Sequence, residues 1–293
     1  MPREWLIFSR SANRALLLCL DEAVMTESSP ILIERPEPGI AIIRLNRPDA
    51  MNAFTPAMMD AYHDALDTID KDPETRVVVL AANGRGFCSG LDLKSVSLQP
   101  GGEHHGAIAL VALQELYGTS APHMRRIRQP IVAAVNGVAV GVGFALALAA
   151  DIRVASRSAR FLVGAVKIGL SAGETGISYH LPRLIGASRA FELMLTGRPV
   201  TAEEAERIGL VSRLAEDGRV LDEAMDVARQ IVANSPFASK HTKQIMWSNL
   251  DASSFEAASQ LENHAQVVAM LTADFDEATK AFVEKRAPRF RGV

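Results

Sequence analysis

Residues 130–143 read PIVAAVNGVAVGVG, and this stretch decides the fold. The apolar run Ile131–Val135 is typical of a strand that is buried on both faces. The glycines that follow it, and the small residues of 143–149, predict a turn that opens directly into a helix. A second apolar run at 77–80 leads in the same way into a glycine-rich loop at 83–92. Strands that alternate with helices predict an α/β fold with a parallel sheet.

The flanking segments extend this order in both directions. Short β-branched runs at 31–33 and 40–45, separated by prolines and Gly39, predict a hairpin. Thr55-Pro56 predicts the start of a helix that ends at Asp72-Pro73, because the hydroxyl can cap it and proline fits its first turn. One helical pattern covers 107–127. After residue 178 helices dominate, and the one strand expected there is 210–214.

The chain is therefore divided into three parts. Residues 1–28 are expected to form a peripheral N-terminal extension, since the apolar run at 16–20 is too short for a signal peptide and Asp21 and Glu22 follow it. Residues 29–220 are expected to form the α/β core. Residues 221–293 are expected to form a helical C-terminal region.

Composition excludes several classes of function. The 293 residues include 31 basic and 34 acidic side chains, so the net charge is −3. This balance argues against a nucleic-acid partner. Cys19 and Cys88 cannot build a disulfide framework, and no Cys/His cluster has metal-binding spacing. No apolar run reaches the ~20 residues of a membrane span. A cytoplasmic protein without a bound metal is expected.

The loops at 83–92 and 136–143 are candidates for a binding site because each follows a buried strand. Backbone N–H groups from two such turns could converge on one carbonyl oxygen and stabilise negative charge there. Three alternatives compete with this interpretation. Glycine turns are often only structural, the Gly141–Gly143 segment lacks the third glycine of a dinucleotide site, and Ser89 lacks the glycines of a nucleophile elbow.

Several ordered motifs resemble the crotonase superfamily, the enoyl-CoA hydratase/isomerase group. They are Leu45-Asn46-Arg47-Pro48-Asp49-Ala50-Met51-Asn52-Ala53, Gly86-Phe87-Cys88-Ser89-Gly90-Leu91-Asp92-Leu93 and Pro130–Gly137, with Leu195-Thr196-Gly197-Arg198 and Phe282–Arg286 later in the chain. The resemblance implies a crotonase-type ββα spiral core. It also implies a C-terminal region that mediates assembly into a homotrimer or a homohexamer.

The resemblance further implies an acyl-CoA substrate and no separate cofactor, since coenzyme A is part of the substrate. The backbone amides of Ser89 and Val142 are the implied oxyanion donors. The implied contacts to coenzyme A are Arg47, Asp49, Ala50, Ala53, Cys88, Ser89, Leu91, Asp92, Leu93, Gly141, Phe282 and Lys285.

The acidic residues depart from the family pattern. Ala145 and Ala165 stand where hydratases of the family carry two glutamates, so hydration by that pair is not expected. Glu174 remains as a candidate acid/base, and one carboxylate suffices to move a proton between two carbons. Glu174 could instead favour the start of the helix that follows it. Double-bond isomerisation is therefore expected over hydration, the alternatives being a non-catalytic acyl-CoA binding protein and a thioester hydrolase.

Overall fold

The described residues of the computed structural model, 29–95 and 107–292, contain nine short strands in two sheets. The strands are β1 (Ile31–Glu37), β2 (Ile40–Leu45), β3 (Val77–Ala82), β4 (Ile131–Val135), β5 (Val138–Val140), β6 (Ile152–Ser156), β7 (Arg160–Leu162), β8 (Val200–Thr201) and β9 (Arg213–Ala215). The larger sheet has the order β1-β2-β3-β4-β6-β9, in which only the β1–β2 pair is antiparallel. The smaller sheet has the order β5-β7-β8.

Eleven α-helices surround the sheets in the same described residues. They are α1 (Pro56–Lys71), α2 (Ala107–Gly118), α3 (Ser120–Arg126), α4 (Val142–Ala149), α5 (Ile177–Ile185), α6 (Ala187–Thr196), α7 (Ala202–Arg207), α8 (Val220–Val232), α9 (Pro236–Asn249), α10 (Phe255–Met270) and α11 (Ala273–Val283). None of the described helices has the length and apolar character needed to cross a bilayer.

The start of α1 follows from local chemistry. The Thr55 hydroxyl accepts the Met58 N–H at 3.1 Å, and Pro56 occupies the first turn, where its missing N–H costs nothing. The apolar stripe of the helix, including Tyr62 and Leu66, is fully buried. This confirms the predicted helix and its N-terminal cap.

The larger sheet is covered on both faces. In β2, Ala41 and Ile43 pack into one apolar cluster with α1 and α4, while Ile42 packs into a second cluster with α8. This alternation is the two-residue period of a strand. Every residue of α4 is buried, so the helix that follows the second turn is fixed within the core.

The predicted α/β core and helical C-terminal region are confirmed. The pattern at 107–127 forms two helices, α2 and α3, which are separated at Thr119. The last strand of the larger sheet is Arg213–Ala215 instead of 210–214, and the short strands β5 and β8 were not predicted. The division after residue 220 stays a prediction, although α8, which begins there, packs on the sheet. The extension at 1–28 lies outside the described residues.

Candidate active site

Two turns that follow parallel strands lie side by side. The first turn comprises residues 86–93 after β3, and the second comprises residues 136–143 after β4. Cys88 and Ala139 form a β-bridge, in which the Cys88 N–H donates to Val138 O at 3.0 Å and the Val140 N–H donates to Cys88 O at 2.9 Å. A β-carbon added at Gly90 would lie 3.1 Å from Val140 O. The backbones of the two turns are therefore in contact.

The Cys88 sulfur joins the turns a second time. The Gly90 N–H donates to Cys88 Sγ at 3.3 Å, and the Gly143 amide also bonds to the thiol. Burial raises the pKa of the Cys88 thiol to about 12, so it stays protonated near neutral pH. A β-carbon at Gly143 would lie 2.5 Å from Cys88 Cβ, and only glycine allows this approach.

The amide of Ser89 is already used by the protein. Its N–H donates to Met51 O at 2.9 Å, on the side of the turn opposite β5. The Met51 carbonyl is held there because Met51 and Asn52 both adopt left-handed backbone angles, with φ of 51° and 54°. The prediction that Ser89 supplies a free oxyanion donor is therefore corrected, since this donor has an acceptor within the chain.

The amide with the required freedom is that of Leu91. The Phe54 N–H donates to Gly90 O at 2.8 Å, and the Asp92 N–H donates to Phe54 O at 2.9 Å. Because successive amides of an extended chain point in opposite directions, the Leu91 N–H points away from Phe54. It has no acceptor in the part of the chain that the structure describes.

Val142 provides the second free donor. It is the first residue of α4, after Gly141 as the N-cap, and the first hydrogen bond of the helix runs from the Ala145 N–H to Gly141 O at 2.8 Å. The N–H groups of a first helical turn have no partner inside the helix. Among the described residues the Val142 N–H finds no acceptor elsewhere, and it carries the partial positive charge of a helix N-terminus.

Polar side chains hold the first turn in place. Arg47 forms an ion pair with Asp92 at 3.1 Å and donates to Ala53 O. The buried Asn52 donates to Gly86 O at 3.0 Å and accepts the Arg47 N–H at 2.8 Å. Asn52 was not predicted as a site residue, although asparagine is one of the few residues that readily adopt a left-handed backbone, as Asn52 does here.

The Glu174 carboxylate lies beside the second turn. Its Oε1 would be 3.6 Å from a β-carbon at Gly141. Burial raises its pKa above the ordinary value, and its side chain makes no hydrogen bond to another described residue. The N-cap of α5 is Gly176, and no side chain caps that helix. Glu174 therefore makes no capping hydrogen bond, and the favourable effect of its charge on the start of α5 stays a prediction.

The two alanines of the predicted site are both buried. Ala145 lies in α4, and Ala165 begins a 3-10 turn, Ala165–Ile168. A methyl group can neither donate nor accept a proton. Near the turns, the half-buried Glu174 carboxylate lacks a cationic partner among the described residues, whereas Asp92 is paired with Arg47.

The residues predicted to contact coenzyme A fall into two groups. The larger group lies along the first turn, in and beside the 3-10 turn Pro48–Ala50, and near the end of the second turn: Arg47, Asp49, Ala50, Ala53, Cys88, Ser89, Leu91, Asp92, Leu93 and Gly141. Phe282 in α11 and Lys285 after it are exposed. No side-chain hydrogen bond within the described chain connects these two residues to either turn.

The donors gathered here suit negative charge on oxygen. Two free amides, one of them at a helix N-terminus, bind anions rather than cations. Within residues 29–95 and 107–292, no group of three His, Cys, Asp or Glu side chains could hold a metal ion. The arrangement can stabilise an oxyanion and place a carboxylate of raised pKa next to it.

Known proteins resemble this chain over most of its length. A family model described as enoyl-CoA hydratase/isomerase matches residues 35–293. The chain is 49% identical over 265 residues to the probable enoyl-CoA hydratase echA12 of Mycobacterium bovis, covering 89% of this chain and 93% of that protein.

Solved structures give the same relationship. A probable enoyl-CoA hydratase/isomerase from Mycobacterium abscessus superposes with a TM-score of 0.82 at 44% identity, covering 90% of this chain and 99% of that one. A monofunctional enoyl CoA isomerase from M. smegmatis has a TM-score of 0.68 at 41% identity, covering 79% of this chain and 98% of that one.

Proposed function

The chain belongs to the enoyl-CoA hydratase/isomerase family, an acyl-CoA enzyme family, and we propose that within it the protein isomerises the double bond of an unsaturated acyl-CoA. The family membership confirms the predicted resemblance to the crotonase superfamily and its fold. The observation that carries the proposal is the unpaired Glu174 carboxylate beside the second turn, with alanine at positions 145 and 165.

In the proposed reaction the thioester oxygen lies between the amides of Leu91 and Val142. Two hydrogen bonds to this oxygen stabilise the enolate that forms when a proton leaves the acyl chain. The donors are backbone groups held by the Phe54 pairing and by the start of α4, so they need little reorganisation as charge develops.

Glu174 performs the proton transfer. Its carboxylate removes a proton from the carbon between the thioester carbonyl and the double bond of a 3-enoyl-CoA. The electrons move onto the thioester oxygen, which gives a dienolate. The protonated carboxyl exchanges its proton with solvent and delivers a proton to the far carbon of the former double bond, which gives the 2-enoyl-CoA. No water and no cofactor are consumed, so atoms and electrons balance. The raised pKa of Glu174 suits a base whose conjugate acid must give the proton back.

Hydration is disfavoured because two carboxylates that this reaction would use are absent. Adding water requires one group that activates the water and another that delivers a proton. Ala145 and Ala165 occupy the positions where the resemblance places those two groups. The relatives include a probable hydratase and an isomerase, and isomerisation is the reaction of the two that one carboxylate can perform.

Coenzyme A is proposed to run along the first turn. Leu91 and the exposed Leu93 lie beside the oxyanion position, and Asp49 and Ala50 continue the same surface. Arg47 contributes through its ion pair with Asp92, which keeps the turn closed. Phe282 and Lys285 are proposed to reach coenzyme A from the C-terminal region of an assembled oligomer.

A trimer or a hexamer is proposed because α10 has no buried residue in the single chain. Phe255 is 81% exposed and Leu271 is 82% exposed, so the single chain leaves apolar surface at both ends of α10 in contact with solvent. A second copy of this chain is the proposed partner. Sedimentation velocity tests this, since a monomer at micromolar concentration would contradict it.

The test of function uses a 3-enoyl-CoA in deuterated water. The wild-type protein should form the 2-enoyl-CoA and take up deuterium, and Glu174→Gln should reduce kcat by ~10²–10⁴-fold. Glu206→Gln, at an exposed position on α7, is the matched control and should retain wild-type activity.

Three outcomes contradict the proposal in different ways. Binding of the thioester without isomerisation would favour the non-catalytic binding protein. Release of free coenzyme A would favour the thioester hydrolase. Wild-type activity in Glu174→Gln would leave the reaction in place and remove Glu174 from it.

A further inference from the structure

We propose that Tyr117 is a positioning residue, whose hydroxyl holds the Phe54 carbonyl and thereby sets the direction of the Leu91 amide. This inference rests on the proposed function, because it concerns the donor assigned to the thioester oxygen. Tyr117 lies near the end of α2, and its ring is almost completely buried.

The contact itself is direct. Tyr117 Oη donates to Phe54 O at 3.2 Å. The same carbonyl oxygen accepts the Asp92 N–H at 2.9 Å, so both of its acceptor positions are used. The Tyr117 hydroxyl therefore fixes the orientation of the Phe54 peptide on the side away from the first turn.

The Phe54 peptide in turn fixes Leu91. The Phe54 N–H donates to the carbonyl of Gly90, the residue before Leu91, and the Phe54 carbonyl accepts the N–H of Asp92, the residue after it. The Leu91 N–H shares its peptide plane with the Gly90 carbonyl, which the Phe54 N–H holds, and the next peptide plane is held through the Asp92 N–H. A displacement of the Phe54 backbone would therefore move the peptide planes on both sides of Leu91. Misdirected donors lose most of a hydrogen bond's strength, because the bond weakens steeply away from linearity.

Tyr117 is itself held firmly. The Ser120 hydroxyl donates to Tyr117 O at 2.7 Å, and His63 Nε2 bonds to Leu116 O at 3.1 Å. The surroundings of the phenol also favour the protonated form, since burial and the carboxylates of Asp92 and Asp60 raise its pKa. The hydroxyl therefore remains a donor across the working pH range.

The experiment compares Tyr117→Phe with Tyr62→Phe. Tyr62 is a matched control because it is also buried, its ring meets the Phe54 ring edge-on at 6.0 Å, and its hydroxyl makes no hydrogen bond to a described residue. Tyr117→Phe should lower kcat by ~3- to 10-fold with KM nearly unchanged, the effect of one misaligned hydrogen bond. Tyr62→Phe should keep the wild-type kcat.

A spectroscopic measurement separates positioning from general loosening. An aryl-conjugated enoyl-CoA, bound without turnover, absorbs at longer wavelength when its carbonyl is polarised by hydrogen bonds. The wavelength shift should be smaller in Tyr117→Phe than in wild type and unchanged in Tyr62→Phe. A variant that merely lost stability would lower the unfolding midpoint and leave the shift of the folded, liganded fraction intact.

The outcomes distinguish this inference from the proposed function. If wild type isomerises the substrate while Tyr117→Phe keeps both its kcat and the full wavelength shift, Tyr117 has no positioning role and the proposed function stands. If wild type neither isomerises nor shifts the probe, the proposed function fails and this inference fails with it. A reduced shift together with reduced kcat supports both.

Discussion

The first and second turns present one amide each, but they do so by different means. In the second turn the Val142 N–H is free because it begins a helix whose residues are all buried. In the first turn the neighbouring amides of Ser89 and Asp92 are bonded to the chain, and Leu91 is left between them. One donor follows from helix geometry, whereas the other depends on several contacts that are distant in sequence.

This difference locates the weak part of the site. The start of α4 leaves the Val142 N–H without a backbone acceptor by helix geometry alone. The first turn depends on Phe54, Tyr117 and the Arg47–Asp92 pair. Changes to side chains are therefore expected to alter the first turn more easily, and the second turn should respond mainly to changes of its own backbone.

Among changes to the two turns themselves, removal of the Val142 N–H should have the largest effect. Val142→Pro deletes the donor at a position where proline is compatible with a helix start. We expect a loss of ~10²–10³-fold in kcat, the effect of one oxyanion donor. Steady-state kinetics measures it, and Val142→Ala, which keeps the N–H, is the control. Equal activity in the two variants would show that the second turn does not polarise the substrate.

Crowding the contact between the turns should come next. Gly143→Ala places a β-carbon against Cys88, where the structure leaves 2.5 Å. We expect a loss of ~1–3 kcal/mol in the free energy of unfolding, as for other overpacked cores. Urea denaturation measures it. Gly118→Ala is the control because a β-carbon there meets no atom within 4 Å. An unchanged free energy of unfolding in Gly143→Ala would show that the contact between the turns accommodates a β-carbon.

The pH profile tests the carboxylate beside the second turn. Glu174 must be ionised to act as a base, and burial raises its pKa above the ordinary 4.5. Activity should therefore fall as pH decreases through that raised pKa, approaching about tenfold per pH unit below it. Initial rates across pH measure the limb. A flat profile down to pH 4 would contradict the assignment of Glu174.

The smallest effect expected is a gain in stability from Glu174→Gln. A carboxyl whose pKa is raised on folding stabilises the protein below its unfolded pKa, and this contribution is lost as pH rises through the folded pKa. At pH 7 the ionised group therefore costs stability. Replacing it should raise Tm by about 1–2 °C at pH 7 and by less at pH 4. A lower Tm at pH 7 would contradict this balance.

Much of the fold was predictable because its signals are local. The cap at Thr55-Pro56, the buried runs that became β3 and β4, and the glycines after them each act over a few residues. The strands β5 and β8 were not predictable in this way. They have three and two residues, and both pair with β7, a partner that is distant from them in sequence.

The candidate site was predictable as a place but not in every atom. The two strand ends indicated where the turns would meet, and Glu174 was named from its small and apolar neighbours, with a role that stays a prediction. It was not predictable that Leu91, and not Ser89, supplies the free amide of the first turn. This depends on the hydrogen bond from the Ser89 N–H to Met51 O, and Met51 lies 38 positions away from Ser89. No pattern within the first turn reveals which of its amides a remote carbonyl will take.

The Cys88 thiol lies at the contact between the two turns, so its chemical reactivity reports how often the turns separate. Small alkylating reagents attack thiolates, and a buried sulfur with a pKa of about 12 is shielded from them while the site is closed. In a Cys19→Ser background, the labelling rate of Cys88 would therefore count opening events. A bound thioester that bridges the two amides should lower the labelling rate of Cys88, so ligand occupancy could be followed without any turnover.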